Sequence, residues 1–262
     1  MAGDRLALTE LSALADLRAL SRFFDALWQR ATPALPLELL RALTSAGNYT
    51  TAAHLDGELV GGLTGFLGRH GDATILHSHI LGVAPGAQRR GVGRALKQHQ
   101  RAWAARRGIA SITWTFDPLV ARNARFNLVH LGARPTAYLP DFYGPMDDGF
   151  NASSPTDRLL VAWPTEPVAP PAVPQGAPAA LEVDACDGPV VRDVAGGLRR
   201  CRLPADIVTL RRTQPARAAA WSEALRATLA TAMAAGDEVV GLDADDAYVI
   251  RPPPELGRRA GR

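Results

Sequence analysis

The chain has 262 residues, 47% of them hydrophobic, and a formal net charge of +3, which is enough for one large domain or two modest ones with an adequate core. Its two cysteines, Cys186 and Cys201, exclude a disulfide framework and stand in no metal-ligand spacing, so no metal is expected. No apolar run approaches the roughly 18 residues of a membrane span, and the N-terminal stretch with Asp4, Arg5, Glu10, Asp16 and Arg18 lacks a signal-peptide core. The expectation is a soluble cytoplasmic protein without a membrane partner.

Thr9 to Arg30 repeats apolar residues at helical spacing (Leu20, Phe24, Leu27, Trp28), and Pro36 opens a second helix that ends near Gly47. Thr50 to Leu55, then Asp56-Gly57, then Glu58 to Leu67 predicts a hairpin, because Asp-Gly suits the positive φ of a tight turn. Arg69-His70-Gly71-Asp72 turns into a strand from Thr74 to Val83. A helix over Val92 to Arg107 presents Val92, Ala95, Leu96, His99, Ala102 and Trp103 on one face, and Gly108 ends it. A strand over Ile109 to Phe116, a short helix over Ala121 to Leu131 closed by Gly132, and extended segments over Pro135 to Tyr143 and Asp157 to Trp163 complete this part.

Residues 165 to 180 are rich in Pro and Ala and nearly uncharged, the composition of an extended linker. It separates a domain over 1–164 from a C-terminal segment over 181–262. That segment reads as a strand from Leu181 to Val191, a Leu203-Pro204-Ala205-Asp206 corner, and an amphipathic helix from Pro215 to Ala235 with Trp221, Leu225 and Leu229 on its apolar stripe. Two strands, Glu238 to Leu242 and Tyr248 to Arg251, follow. A stripe of that width must be buried, so the segment is expected to form an α/β extension that docks on the first domain.

The stretch Val83-Ala84-Pro85-Gly86-Ala87-Gln88-Arg89-Arg90-Gly91-Val92-Gly93-Arg94 lies between a strand and a helix. Such a junction offers unpaired N–H groups and the positive end of the helix dipole to a phosphate. A P-loop would continue Gly-Lys-Ser/Thr, but Arg94-Ala95 follows Gly93; a dinucleotide loop would place a third small residue where Leu96 stands. What remains, Gln-x-x-Gly-x-Gly after Val-x-Pro, resembles the acetyl-CoA loop of the GCN5-related N-acetyltransferase (GNAT) superfamily. The stretch from Asp117 through Asn123, Phe126 and Asn127 to Leu131-Gly132-Ala133, with Pro204, Asp206 and Trp221 further on, resembles a branch of that superfamily with a C-terminal extension and amino-acid N-acyl- or succinyltransferase-like members.

The resemblance implies an α/β fold with a mixed, splayed central sheet flanked by helices, and acetyl-CoA or another acyl-CoA as co-substrate. It implies that Gln88, Arg89, Arg90, Gly91, Val92, Gly93 and Arg94 hold the pyrophosphate, that backbone on Leu81, Gly82 and Val83 polarises the thioester carbonyl, and that Asn123 and Phe126 line the cofactor. Gly82 suits a β-bulge or a close cofactor approach. His79 stands where many members carry a glutamate that deprotonates the amine, and imidazole can do that work at neutral pH; His77, two residues earlier, lies on the same strand face. A satisfied structural histidine is the alternative for both.

Leu128 occupies the position where the family carries a tyrosine that protonates the leaving thiolate. Tyr138, Tyr143 or water is left for that task. Asn123 and Asn127, one helical turn apart, share a face of the short helix. The resemblance therefore implies an N-acyltransferase acting on a small-molecule amine, an amino acid or similar metabolite, by direct attack in a ternary complex. An acyl-CoA-binding sensor is the alternative. No nucleic-acid partner is expected, because of the 29 basic residues only Lys97 is lysine and the arginine bias is compositional. A homodimer is compatible with the reading.

Overall fold

The computed structural model describes residues 5–28, 33–144, 146, 155–194 and 196–253. They form two compact units. The first comprises the described residues up to Thr115 with Ala162–Val168; the second comprises those within Phe116–Met146 and Ser154–Val161, and those from Ala169 onward. Among the described residues no helix is long and apolar enough to cross a membrane.

The first unit opens on a strand that the helical periodicity obscured. Leu6–Glu10 forms β1, paired antiparallel with β2 (Thr50–Leu55) from Leu6↔Leu55 to Glu10↔Thr51, so helix α1 starts at Leu14 and ends at Trp28. Sheet pairing overrides propensity in so short a segment. Helix α2 (Leu37–Ser45) follows Pro36, which serves as its N-cap. The hairpin of β2 and β3 (Glu58–His70) turns at Asp56 and Gly57, both at positive φ, and β3 continues into β4 (Ala73–Val83). Helix α3 (Val92–Ala105) and β5 (Ser111–Phe116) complete the series, with strand order β1-β2-β3-β4-β5.

Two adjacent glycines show how the sheet is sandwiched. A Cβ on Gly62 would sit 2.2 Å from Leu20 Cδ1 of α1, whereas one on Gly61 would meet Val92 and Leu96 of α3. Neighbouring strand residues point to opposite faces, so α1 and α3 cover opposite faces. Beneath α1 lies a core of Leu17, Leu20, Phe24, Leu35, Leu40 and Ala52, where Ser21 Oγ donates to Leu35 O at 3.0 Å. The β4/β5 pair is parallel and in register only at Leu76↔Ile112 and His77↔Thr113. Beyond those rungs the two strands part, which is the splay of the mixed sheet.

In the second unit α4 (Ala121–Ala124) runs into a π-helical turn, Arg125–His130, where Leu131 N donates to Phe126 O. Strands β6 (Arg134–Leu139) and the start of β7 (Arg158–Pro164) follow. A five-stranded sheet of order β11-β12-β10-β8-β9 occupies the rest: β8 (Ala179–Val183), β9 (Pro189–Val191), β10 (Arg199–Arg202), β11 (Glu238–Leu242) and β12 (Ala247–Arg251). The single strand expected over Leu181–Val191 is a hairpin instead, because Asp184 Oδ1 accepts from the amides of Cys186 and Gly188, both at 2.7 Å, and turns the chain. Strand β10 and helix α5 (Ile207–Thr213) were not anticipated; Asp206 caps α5 by accepting from Thr209 N at 3.0 Å.

The long helix of this unit is interrupted. Helix α6 (Pro215–Leu225) passes through a π-turn, Arg226–Ala230, before α7 (Thr231–Ala234). Its stripe is buried as its width demands: Trp221, Leu225 and Leu229 are 0% exposed, and Trp221 Nε1 donates to Asp187 O at 3.0 Å. The unit is also cross-linked by polar contacts. Tyr248 Oη donates to Pro118 O at 2.8 Å, and Arg211 to Asp117 Oδ2 at 2.6 Å.

Candidate active site

Strand β4 carries one residue more than its partner. Thr64 faces Ile80 and Gly65 faces Ser78, so His79 is the extra residue of a β-bulge. The bulge anticipated at Gly82 is therefore three residues earlier, and Gly82 pairs regularly with Gly62. Gly82 is glycine for another reason. A Cβ there would lie 2.6 Å from Leu27 Cδ2 and 2.9 Å from Trp28 Cη2, so the end of α1 rests on bare backbone.

The bulge reverses the strand's alternation. Before it, Ser78 meets Lys97 of α3, with Nζ donating to Oγ at 2.9 Å; after it, Ile80 packs into the core beneath α1. His77 and His79 both lie against Phe66, with ring centroids 5.1 and 5.8 Å away. His77 Nδ1 is 3.2 Å from Thr113 Oγ1. Burial, then the neighbouring His79 and Lys97, lower the His77 pKa to about 4. His79 remains solvent-accessible, and partial dehydration of its ring lowers it in the same direction. Both imidazoles are thus neutral at pH 7, the form in which His79 accepts a proton.

From Val83 the chain enters a 3₁₀ turn, Pro85–Ala87, and Gln88 Nε2 reaches back to Val83 O at 3.4 Å. Arg89 (φ 62°) and Gly91 (φ 81°) then adopt left-handed backbone. A Cβ on Gly91 would touch nothing within 4 Å, so conformation rather than space demands glycine there. Gly91 is the N-cap of α3 and no side chain caps that end, which leaves its first amides and the helix dipole to an anion. Gln88, Arg89, Arg90 and Arg94 are exposed around this end, Val92 is buried as the first core residue of α3, and Leu81, Val83 and Gly93 are half-buried.

The remaining candidates belong to the second unit. Tyr138 Oη donates to Asp157 Oδ2 at 2.7 Å; burial first, then the Asp157 charge, pushes this phenol far above its ordinary value. Tyr143 is exposed on the turn after β6, edge-on to Phe142 at 4.7 Å, and its amide donates to Thr156 Oγ1. Asn123 is exposed and Phe126 half-buried, whereas Asn127 is buried. Asn123 and Asn127 thus differ in exposure across the junction between α4 and the π-turn. Leu128 is buried at 7% exposure. The residue that motif reasoning passed over is Lys97, and its signal was in plain view as the lone lysine of the chain.

The sequence profile of the acetyltransferase (GNAT) family matches residues 15–127. The chain is similar to the crystal structure of the ribosomal-protein-S18-alanine N-acetyltransferase from Escherichia coli, with 18% identity over 63% of this chain and 97% of that one and a TM-score of 0.50. It is likewise similar to an acetyltransferase of the GNAT family from Streptococcus pneumoniae, with 14% identity over 61% and 99% of the two chains and a TM-score of 0.50. At these identities the likeness shows the fold. No curated protein matched the chain. The bulged β4, the divergence of β4 from β5, the left-handed approach to α3 and the profile agree: the chain carries an acetyltransferase domain of the GNAT family over residues 15–127 and is an acyltransferase that uses an acyl-CoA as co-substrate.

Proposed function

We propose that the protein transfers an acyl group from acetyl-CoA, or another short acyl-CoA such as succinyl-CoA, to the amine of a small metabolite, an amino acid or a close relative, by direct attack within a ternary complex in the cytoplasm. The observation that carries this reading is the path of the chain from the bulge at His79 to the uncapped start of α3. It sets a neutral imidazole and an anion-binding helix end on one continuous segment.

In this reading the amides of Gly91, Val92, Gly93 and Arg94 hold the pyrophosphate, with the guanidinium groups of Arg89, Arg90 and Arg94 around it. Backbone from Leu81 through Val83 polarises the thioester carbonyl. His79 takes the proton from the attacking ammonium group, so that the lone pair of the amine is free at neutral pH. Asn123 and Phe126 are assigned to the pantetheine arm by family resemblance. For the leaving thiolate the resemblance leaves Tyr138, Tyr143 or water, and the Tyr138 proton is held by Asp157.

Direct attack is favoured over an acyl-enzyme by the state of the thiols. Cys201 is buried, which pushes its pKa up to about 11, and Cys186 sits in the β8/β9 turn of the second unit. Cys201 is therefore not the activated thiolate that covalent catalysis needs, and Cys186 lies on none of the segments assigned to the cofactor. The test is to incubate the full chain with acetyl-CoA or succinyl-CoA and a pool of amino acids and related amines, and to identify acylated products by mass spectrometry. Acylated metabolites confirm the reading. Binding of acyl-CoA without any product transfers the protein to the sensor class, for which the buried Leu128 at the family's tyrosine position speaks.

A further inference from the structure

A chain with 29 basic residues uses lysine once, at position 97, and that lysine is 3% exposed. Its surroundings explain the choice. Nζ lies 2.9 Å from Ser78 Oγ on β4 and 3.5 Å from the centroid of the Trp114 ring on β5. A hydroxyl and a ring face carry no net charge, and a guanidinium would remain charged there at any working pH. Lysine has a compact head that can lose its proton when buried, and burial moves Lys97 well below its ordinary value.

The two partners are not arbitrary positions. The parallel β4/β5 pairing runs through Leu76↔Ile112 and His77↔Thr113 and no further. Ser78 and Trp114 are therefore the first residue past the last rung on each strand. Lys97, reaching up from α3, touches both, and Ser78 is also the residue that flanks the bulge at His79.

We propose that Lys97 is a positioning residue of the transfer reaction: a wedge at the apex of the opening between β4 and β5, which sets the width of the acyl end of the acyl-CoA slot and the placement of His79 beside it. The proposal rests on the acyl-transfer reading above. Along β4 the apex at Ser78 lies about 17 Å behind Val83, at ~3.3 Å per residue. The loop that follows Val83 takes the phosphates, so the slot runs from there past the thioester carbonyl at Leu81 to Val83 and narrows towards the apex on the side of the acyl group. The titratable groups around the wedge are His77 and His79 on β4; β5 presents Thr113 and Trp114, and Gln100 is its buried neighbour on α3.

The experiment compares two ligands by calorimetry on the full chain: acetyl-CoA, which spans the slot, and adenosine 3′,5′-diphosphate, which lacks the pantetheine arm. Lys97→Met is expected to weaken acetyl-CoA by about tenfold or more while leaving the nucleotide within about threefold. A general loss of structure would weaken both. A folded Lys97→Met protein that binds acetyl-CoA as the parent does overturns the wedge, as does equal weakening of both ligands. A parent protein that binds neither ligand overturns the acyl-transfer reading instead.

Should Lys97→Met fail to fold, the unmodified chain decides. Labelling lysine with carbon-13 at Cε yields a single signal, because the chain has a single lysine. The expected signal is displaced by the Trp114 ring current, titrates below the ordinary lysine value near 10.4, and moves when acetyl-CoA is added. A signal that ignores acetyl-CoA under saturating conditions overturns the proposal.

Discussion

The Arg226 guanidinium grips the Asp157 carboxylate with two hydrogen bonds, Nε to Oδ2 at 2.7 Å and Nη2 to Oδ1 at 2.5 Å. Tyr138 and the amide of Asp141 supply two more donors, at 2.7 and 3.0 Å. A carboxylate 4% exposed is thus neutralised by a guanidinium from the π-turn after α6. Arg226→Met would leave it buried with half its partners, at a cost of about 2–3 kcal/mol in urea unfolding at pH 7. Burial by itself would raise the Asp157 pKa, but the bonds from Arg226, Asp141 and Tyr138 together bring it below the usual carboxylate value. A depressed folded-state pKa gives stability that is present above the unfolded value near 3.9 and lost as pH falls through the folded one. Below pH 4 the parent should lose more melting temperature than Arg226→Met does. Equal acid sensitivity would refute the clamp.

At the α3 end the two glycines make separable predictions. Gly91→Ala places a side chain at φ 81° and should cost about 1 kcal/mol of stability. Gly93→Val puts bulk among the amides assigned to the pyrophosphate and should weaken acetyl-CoA by about tenfold or more with an unchanged circular-dichroism spectrum. Unlike the change at Lys97, it should weaken adenosine 3′,5′-diphosphate as well. Retained affinity in Gly93→Val would remove the phosphate role from this loop.

His79 and His77 differ in what pH does to them. With its pKa lowered, His79 is already neutral at pH 7, so the limb of the rate profile that reports it should lie below the usual 6.5, with activity falling as the solution is acidified. His79→Ala should lower turnover, leave acetyl-CoA affinity unchanged, and erase that limb. His77, held near 4 in the folded state, binds a proton more readily when unfolded. Stability should therefore decline as pH falls from about 6.5 towards 4, and His77→Gln should flatten that decline in a melting series.

Gly82→Ala tests whether packing rather than pairing sets that position. The new methyl would press on Leu27 and Trp28 at the end of α1, and overpacking of this kind costs about 1–3 kcal/mol. Denaturant unfolding of the variant at parental stability would contradict the packing account.

We further propose that residues 181–262 complete the catalytic chain rather than hang from it. A chain stopped at Trp163 would lose Arg211, Arg226 and Tyr248, the partners of Asp117, Asp157 and the Pro118 carbonyl. It should be insoluble or inactive. A soluble, monodisperse and fully active product would make the segment an independent appendage.

The legible parts of this molecule were those where local chemistry decides. Asp56-Gly57 announced a hairpin and Pro36 a helix start, since each residue type carries its own backbone preference. The illegible parts depend on partners far along the chain. β1 exists because Thr50–Leu55 offers it an edge, and the π-turns after α4 and α6 leave no compositional trace. At the site, the loop residues and His79 were proposed through the family resemblance, and the bulge was placed at Gly82 because glycine draws attention to itself, whereas the extra residue is a histidine. Lys97 escaped because motif reasoning looks for patterns, and a solitary residue makes none.

The odd residue at His79 has a consequence for how β4 can vary. With it, Ser78 and Ile80 serve opposite faces of the sheet although their numbers share parity. Deleting Leu81 or Gly82 and drawing the bulge out would send Ile80 towards Lys97, whereas deleting His79 itself would leave Ile80 opposite Thr64 and under α1. Among relatives of this chain a one-residue deletion in β4 should therefore fall at the bulge itself and not between Ile80 and Val83.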